Sequence, residues 1–228
     1  MDLMSRERWA LAAIIGGAAL AAAGTVVYIS ARRGSLAGAG LGRPMLRGRR
    51  KAGGMELKHY RGRLPIGKRV KILQELTWDS VQDPRMRKLA LEVTSSCPAR
   101  DGNCEARAVY DWVRKNVRYT GDVAPVKQGA RGPYEGVDLF QSAYRTVEFG
   151  GGDCDDHAVL AATLLTLNGI SAKFRVTGRA PKAEFSHIYT MAGLPKMGPS
   201  SWVAVDSTLP GENYGHEAPH GRKADFPA

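Results

Sequence analysis

Three side chains of this 228-residue chain have the types and placement to make an acyl-transfer nucleophile: Cys154, His187 and Asp206. Cys154 follows Gly150, Gly151, Gly152 and Asp153 and precedes Asp155, Asp156 and His157. Asp153 is a natural N-cap, and Asp156 three residues on is acidic in the first turn, much as in a capping box. The thiol therefore falls at a helix start, where unpaired backbone N–H groups and the positive end of the dipole stabilise a thiolate. The same donors can receive a developing oxyanion. The glycines before it let a backbone or substrate approach closely. The neighbouring acids oppose ionisation of the thiol, and a nearby imidazolium would have to offset them.

His187 and Asp206 lie in two predicted strands, 185–191 and 201–206, on either side of a Gly/Pro-rich turn. Paired antiparallel about that turn, the two residues stand directly opposite each other, with Cβ atoms ~5 Å apart. Asp206 then accepts from one imidazole nitrogen and leaves the other for the thiol, the orienting logic of a nucleophile–base–carboxylate triad. A bulge of one residue in either strand cancels that inference. Singly, each residue has a commoner structural role, such as the small hydrophobe that a buried Cys usually is. Their joint arrangement points to chemistry. A rival set is a zinc site made of Cys154 and His157 with Cys97 and Cys104, although the last two lack the tight pairing of zinc knuckles. Cys97 and Cys104 are also close enough in sequence to bridge, leaving Cys154 as the odd thiol.

The elements that must position these residues can be read from capping and periodicity. Asp83 before Pro84 opens a helix to about Val93. Asn103 caps a second helix to about Val117, with an apolar stripe of Ala106, Val109, Tyr110, Val113 and Val117. Residues 120–150 read as a long irregular connection. The Cys154 helix runs through Leu165 and stops at Asn168-Gly169, where glycine supplies the left-handed position. Ala172, Phe174 and Val176 alternate with polar neighbours as a half-buried strand. Helices first and strands afterwards give an α+β domain.

Charge divides the chain unevenly. Of the formal +11, residues 31–71 carry thirteen bases and one acid, whereas residues 72–228 are close to neutral. That Gly/Arg-rich segment has no apolar periodicity and reads as a linker, suited to anionic lipid or, less well, to nucleic-acid phosphates. No aromatic residues interleave its Arg cluster, which argues against a single-strand stacking platform. Before it, Trp9 to Ile29 is a stretch without charge, about the ~20 residues a helix needs to cross a bilayer. It is weakly apolar, with a small-residue stripe of Ala13, Gly17 and Ala21. We read it as a single-pass anchor. The Arg-rich flank then places the following domain in the cytoplasm, while a Cys97–Cys104 bridge would speak for an oxidising compartment.

Three blocks resemble the transglutaminase-like superfamily, a branch of the papain-like cysteine enzymes. They are Asp111 to Tyr119, the Gly-Gly-Asp-Cys-Asp-Asp-His-Ala run ending at Ala158, and the pair Ser186–Tyr189 and Trp202–Thr208. The resemblance implies a papain-like core, with the nucleophile at a helix N-terminus packed on an antiparallel sheet. It also implies Cys154 as nucleophile, His187 as base and Asp206 as orienting carboxylate, with His157 outside the triad. Tyr119 and Gln141 are candidates for an oxyanion-hole side chain. Short versions with this motif occur in phage and prophage genomes, which admits a virion-associated role.

The organisation expected is an anchor over 1–30, a basic linker over 31–71, a transglutaminase-like domain over 72–210 and an exposed tail over 211–228. The activity expected is attack on a peptide or isopeptide amide of a protein or peptide substrate, with no metal or organic cofactor implied. The rivals are a catalytically idle structural or virion protein of the same fold, and a nucleic-acid binder acting through the linker.

Overall fold

The computed structural model describes residues 57–61, 64–120 and 137–228, all within one unit of the chain. The expected anchor at 9–29 and most of the basic linker lie outside them. Among the described residues no helix is long and apolar enough to cross a membrane.

The elements, in order, are β1 (Leu57–Arg61), α1 (Ile66–Val81), α2 (Pro84–Thr94), α3 (Gly102–Asn116), β2 (Arg118–Tyr119), β3 (Val137–Gln141), α4 (Ala143–Phe149), β4 (Gly151–Gly152), α5 (Cys154–Leu167), β5 (Ala172–Gly178), β6 (His187–Leu194), β7 (Ser201–Val205) and β8 (Arg222–Pro227). β5 to β8 form an antiparallel sheet in the order β7-β6-β5-β8. The α+β expectation holds for this mixed helix-and-sheet domain.

α5 is the centre. Val159, Leu160, Ala161, Ala162, Leu164 and Leu165 are all buried, so the helix is apolar on nearly every side. Such a helix must be surrounded, and α1, α2, α3 and α4 pack on it together with β5 and β6. Burying each large side chain of this kind contributes roughly 2 kcal/mol. Phe174 and Val176 of β5, with Ile188 and Ala192 of β6, supply the sheet's share of the core. Thr190 on β6 donates its hydroxyl to the Ala158 carbonyl at 2.8 Å, which fixes the even-numbered side of that strand toward α5.

Local signals account for the helix ends. Asp83 accepts from the Arg85 N–H as the α2 cap, and Gly169 takes φ 72 just beyond α5. The α3 stripe is buried as expected. Its cap differs: the Asp101 carboxylate accepts from the Cys104 N–H, while Asn103 lies inside the helix and accepts from the Tyr214 hydroxyl. Both residue types cap equally well, so local sequence cannot choose between two candidates two residues apart. Cys97 and Cys104 are bridged, with Cα atoms 5.7 Å apart, tying the end of α2 to the start of α3.

Three expected boundaries move. The domain begins before residue 72, because β1 pairs with β3 and α1 starts at Ile66, both inside the segment read as linker. The irregular connection over 120–150 contains β3, α4 and β4, with 121–136 outside the described residues. α4 has only seven residues, too few for periodicity to show. The tail over 211–228 is not an extension: β8 pairs with β5 along its whole length. Its inward residues, Ala224 and Phe226, are separated by charged ones, and the sheet rather than local propensity makes it a strand.

Candidate active site

α5 begins as its sequence predicts. The Asp153 carboxylate accepts from the N–H groups of Asp155 and Asp156, and Asp156 reaches back to the Asp153 N–H, a complete capping box. Cys154 is the first helical residue. Its own N–H is the first-turn donor that Asp153 does not take, so it is the one in place to meet an oxyanion.

The thiol lines a narrow cavity of about 30 Å³ together with Ile66, Arg69, Leu73, Asp155, Phe185, Ser186, His187 and Ile188. Burial pushes the Cys154 thiol up, and the charges of Asp153 and Asp155 push it further; the Ile188 N–H and Arg69 act the other way without overcoming them. Low dielectric and like charges therefore work against the thiolate that the helix start alone favours.

His187 also lines that cavity. Its Nε2 lies 2.6 Å from Oδ2 of Asp206, whose side chain is 0% exposed. The other oxygen of Asp206 accepts from the Thr208 N–H and hydroxyl, at 3.1 and 2.6 Å. Burial alone would raise the Asp206 pKa, but the bonds from His187 and Thr208 prevail and lower it. An ionised Asp206 keeps the imidazole proton on Nε2, so Nδ1 is the nitrogen left to take a proton. The Tyr189 ring lies 5.5 Å from the His187 ring, and the Tyr189 hydroxyl donates to Glu217 at 2.6 Å.

The register differs from the one expected. Thr190 pairs with Val205 and Gly193 with Trp202, so Asp206 stands level with Tyr189 rather than with His187. The shift is two residues. Because strand side chains alternate with period two, a shift of two keeps both residues on one face, whereas a shift of one would have parted them. The His187–Asp206 bond is diagonal across the hairpin.

Of the two oxyanion candidates, neither Tyr119 nor Gln141 lines the Cys154 cavity. Gln141 is spent elsewhere: its Nε2 donates to Oδ2 of Asp156 at 2.6 Å and to the Gly151 carbonyl at 3.3 Å. Tyr119 is 55% exposed, with its ring centroid 6.1 Å from that of His157. The zinc alternative fails because Cys97 and Cys104 are joined to each other, and Nδ1 of His157 bonds Ser207 at 2.8 Å. Asp153, Asp155 and Asp156 bring carboxylate oxygens within 4.8 Å of one another. These are committed to the helix cap, to Arg69 at 3.1 Å and to Gln141 respectively, which is a poor fit for a resident cation.

Two residues beside the site escaped the sequence reading. Arg69, placed in the basic linker, pairs with the buried Asp155. Ser207, next to Asp206, meets His157 one turn along the nucleophile's helix. A helix start after Pro65 was a usable signal for Arg69; nothing local marks Ser207.

The fold and site together define an α+β domain with a cysteine at the start of its central helix and a histidine–aspartate pair on the adjoining sheet. Residues 87–207, more than half of the chain, match the model of the transglutaminase-like superfamily, and the chain belongs to that superfamily. No curated protein gives a significant match. Among solved structures it is similar to a candidate cysteine protease from Cytophaga hutchinsonii, at 18% identity and TM-score 0.40 over 75% of this chain and 60% of that one. It is also similar to a candidate protease from Parabacteroides distasonis, at 11% identity and TM-score 0.40, over 61% of this chain and 29% of that one. Calcium-bound LapG from Legionella pneumophila gives 16% identity and TM-score 0.42, over 70% of this chain and 84% of that one. The chain thus spans less than two thirds of the first two, and likenesses this distant say nothing of activity.

Proposed function

We propose that the chain is a cysteine-nucleophile acyl-transfer enzyme acting on a peptide or isopeptide amide, tethered to a membrane through residues 9–29. The observation that carries this reading is the 2.6 Å His187–Asp206 bond at a cavity that His187 shares with Cys154. Nδ1 of His187 takes the thiol proton as Sγ bonds to the amide carbon. The carbonyl oxygen gains negative charge and meets the Cys154 N–H. Collapse breaks the C–N bond, and the leaving amine receives the proton from His187. The thioester then passes to water, releasing an acid, or to an amine, forming a new amide. Because burial and the neighbouring acids disfavour the thiolate, His187 acts in this reading as a general base on the thiol rather than as half of a standing ion pair.

The same raised thiol favours a second reading, a domain that keeps the fold without turnover. Iodoacetamide labelling at neutral pH, without reductant, followed by peptide mass mapping separates the two. The enzyme reading expects labelling of Cys154 alone, at a rate that His187→Ala lowers, and C154A to lose all turnover of amide substrates. Cys154 labelling that is unchanged in His187→Ala would sink it. The bridge between Cys97 and Cys104 supports a domain that faces an oxidising compartment, against the cytoplasmic side expected from the Arg-rich flank. Labelling acid-quenched cells tests this, since a cytoplasmic domain would expose all three thiols.

A further inference from the structure

Beside the nucleophile's cavity lies a larger cleft of about 340 Å³, and the two share Ile66, Arg69 and Phe185. A chain seated with its carbonyl at Cys154 and running past those shared residues enters the cleft. Among the described residues its charged lining is Arg69, Glu184 and Arg222. Arg69 is engaged with Asp155. Arg222 is held differently. Its guanidinium sits 4.1 Å from the centroid of the Phe185 ring and donates to the Ala183 carbonyl at 3.1 Å, and among the described residues it makes no ion pair. A guanidinium carries five N–H donors in a planar fork. Held over the face of an aromatic ring, with one nitrogen on the Ala183 carbonyl, it keeps further donors for a ligand. Such a fork matches a carboxylate bidentately. The remaining wall, Leu64, Pro65, Ile66 and Phe185, is apolar and suits an aliphatic stem.

We propose that this cleft is a specificity subsite for a carboxylate-bearing residue of the substrate, read by Arg222, so that the substrates are acidic peptides. Its place beside a nucleophile rests on the acyl-transfer reading; its ligand chemistry does not. Arg222 belongs to β8, in the segment that the sequence left as a tail.

The test uses the full chain with Cys154→Ala, so that binding is read without turnover. N-acetylated peptide-amide pools, fluorescently labelled and fixed as Glu, Gln or Lys at each position in turn, are titrated by anisotropy. At one position the Glu pool is expected to bind about tenfold more tightly than the Gln pool, the size of a charge-assisted bidentate contact. Added salt reduces that ratio. Arg222→Gln removes it, Arg222→Lys keeps part of it, and Arg222→Glu turns the preference toward Lys. Arg222 is exposed, so these variants fold, which circular dichroism checks. Equal binding of Glu and Gln pools at every position, or a Glu preference that survives Arg222→Gln, overturns the subsite. A chain that prefers Glu pools but whose Cys154 labelling is unchanged in His187→Ala overturns the catalytic reading alone.

Discussion

On the side of the sheet turned away from α5, Arg175 lies between Asp225 and Glu217, with bonds of 2.7 to 2.8 Å to both, and Tyr189 adds its hydroxyl to Glu217. At the head of α5, by contrast, Asp153, Asp155 and Asp156 crowd one another, with Arg69 as the cation bonded to one of them. With Lys173 also 2.6 Å from Asp225, the first cluster balances its charges, and Arg175 holds Asp225 well below the usual carboxylate range. The second does not: burial, then the neighbouring Asp153, pushes Asp156 up to about 7 and Asp155 well above its ordinary value. Two groups of similar composition thus have opposite electrostatics. The balanced one fastens β8 to the sheet, and the unbalanced one surrounds Cys154. Perturbed titration gathers where chemistry is done.

The contrast can be broken by mutation. The largest effect is expected from Asp206→Asn. Asparagine presents an amide where the carboxylate held the Nε2 proton, so the labelling rate of Cys154 and any turnover should fall about 10²- to 10⁴-fold. Unchanged labelling would mean that the pair does not orient His187.

A smaller and different effect is expected from Arg175→Met. It leaves Asp225 with Lys173 and Glu217 with the Tyr189 hydroxyl, a loss of about 1 kcal/mol in urea unfolding after allowance for their exposure. Cys154 labelling should change little. A variant as stable as wild type would show that β8 is held by Phe226 and Ala224 alone.

The smallest effect sharpens the comparison through pH. Asp156 has a folded pKa of about 7, raised from 3.8. Between those values the native state keeps a proton that the unfolded chain has lost, so this group's contribution to stability falls as pH rises through the window and is flat above it. Asp225 has the opposite sign. Its folded pKa is depressed, so its contribution is complete above the ordinary carboxylate value and is lost as pH falls below it. Urea midpoints of Asp156→Asn should therefore lose part of the wild-type decline between pH 5 and 7.5, and those of Asp225→Asn should differ in slope only below about pH 4. Identical slopes in wild type and Asp156→Asn would contradict the raised carboxylate.

Much of the candidate site was legible before folding because its signals are local. The capping box at Asp153 and Asp156, the Gly169 stop and the α3 stripe all rest on neighbours within one or two helical turns. The shared face of His187 and Asp206 survived a register error because that error was even. What escaped depends on contacts distant in the chain. Arg69 meets Asp155 across 86 positions, and Arg175 meets Asp225 across 50. Local pattern could not show β8, whose alternating charges look like a solvated tail until Arg175 and Lys173 of β5 pair with Asp225.

The sequence by itself determined where the thiol sits on its helix, which two residues could serve it and which superfamily the chain joins. Only the tertiary structure set what opposes ionisation of that thiol. A helix start is a local field that favours the thiolate, but burial and converging carboxylates are properties of the assembled core. Those two push the Cys154 thiol up. The structure likewise chose which cysteines bridge and set Arg222 over Phe185, since each of those contacts exists only once distant segments share a surface.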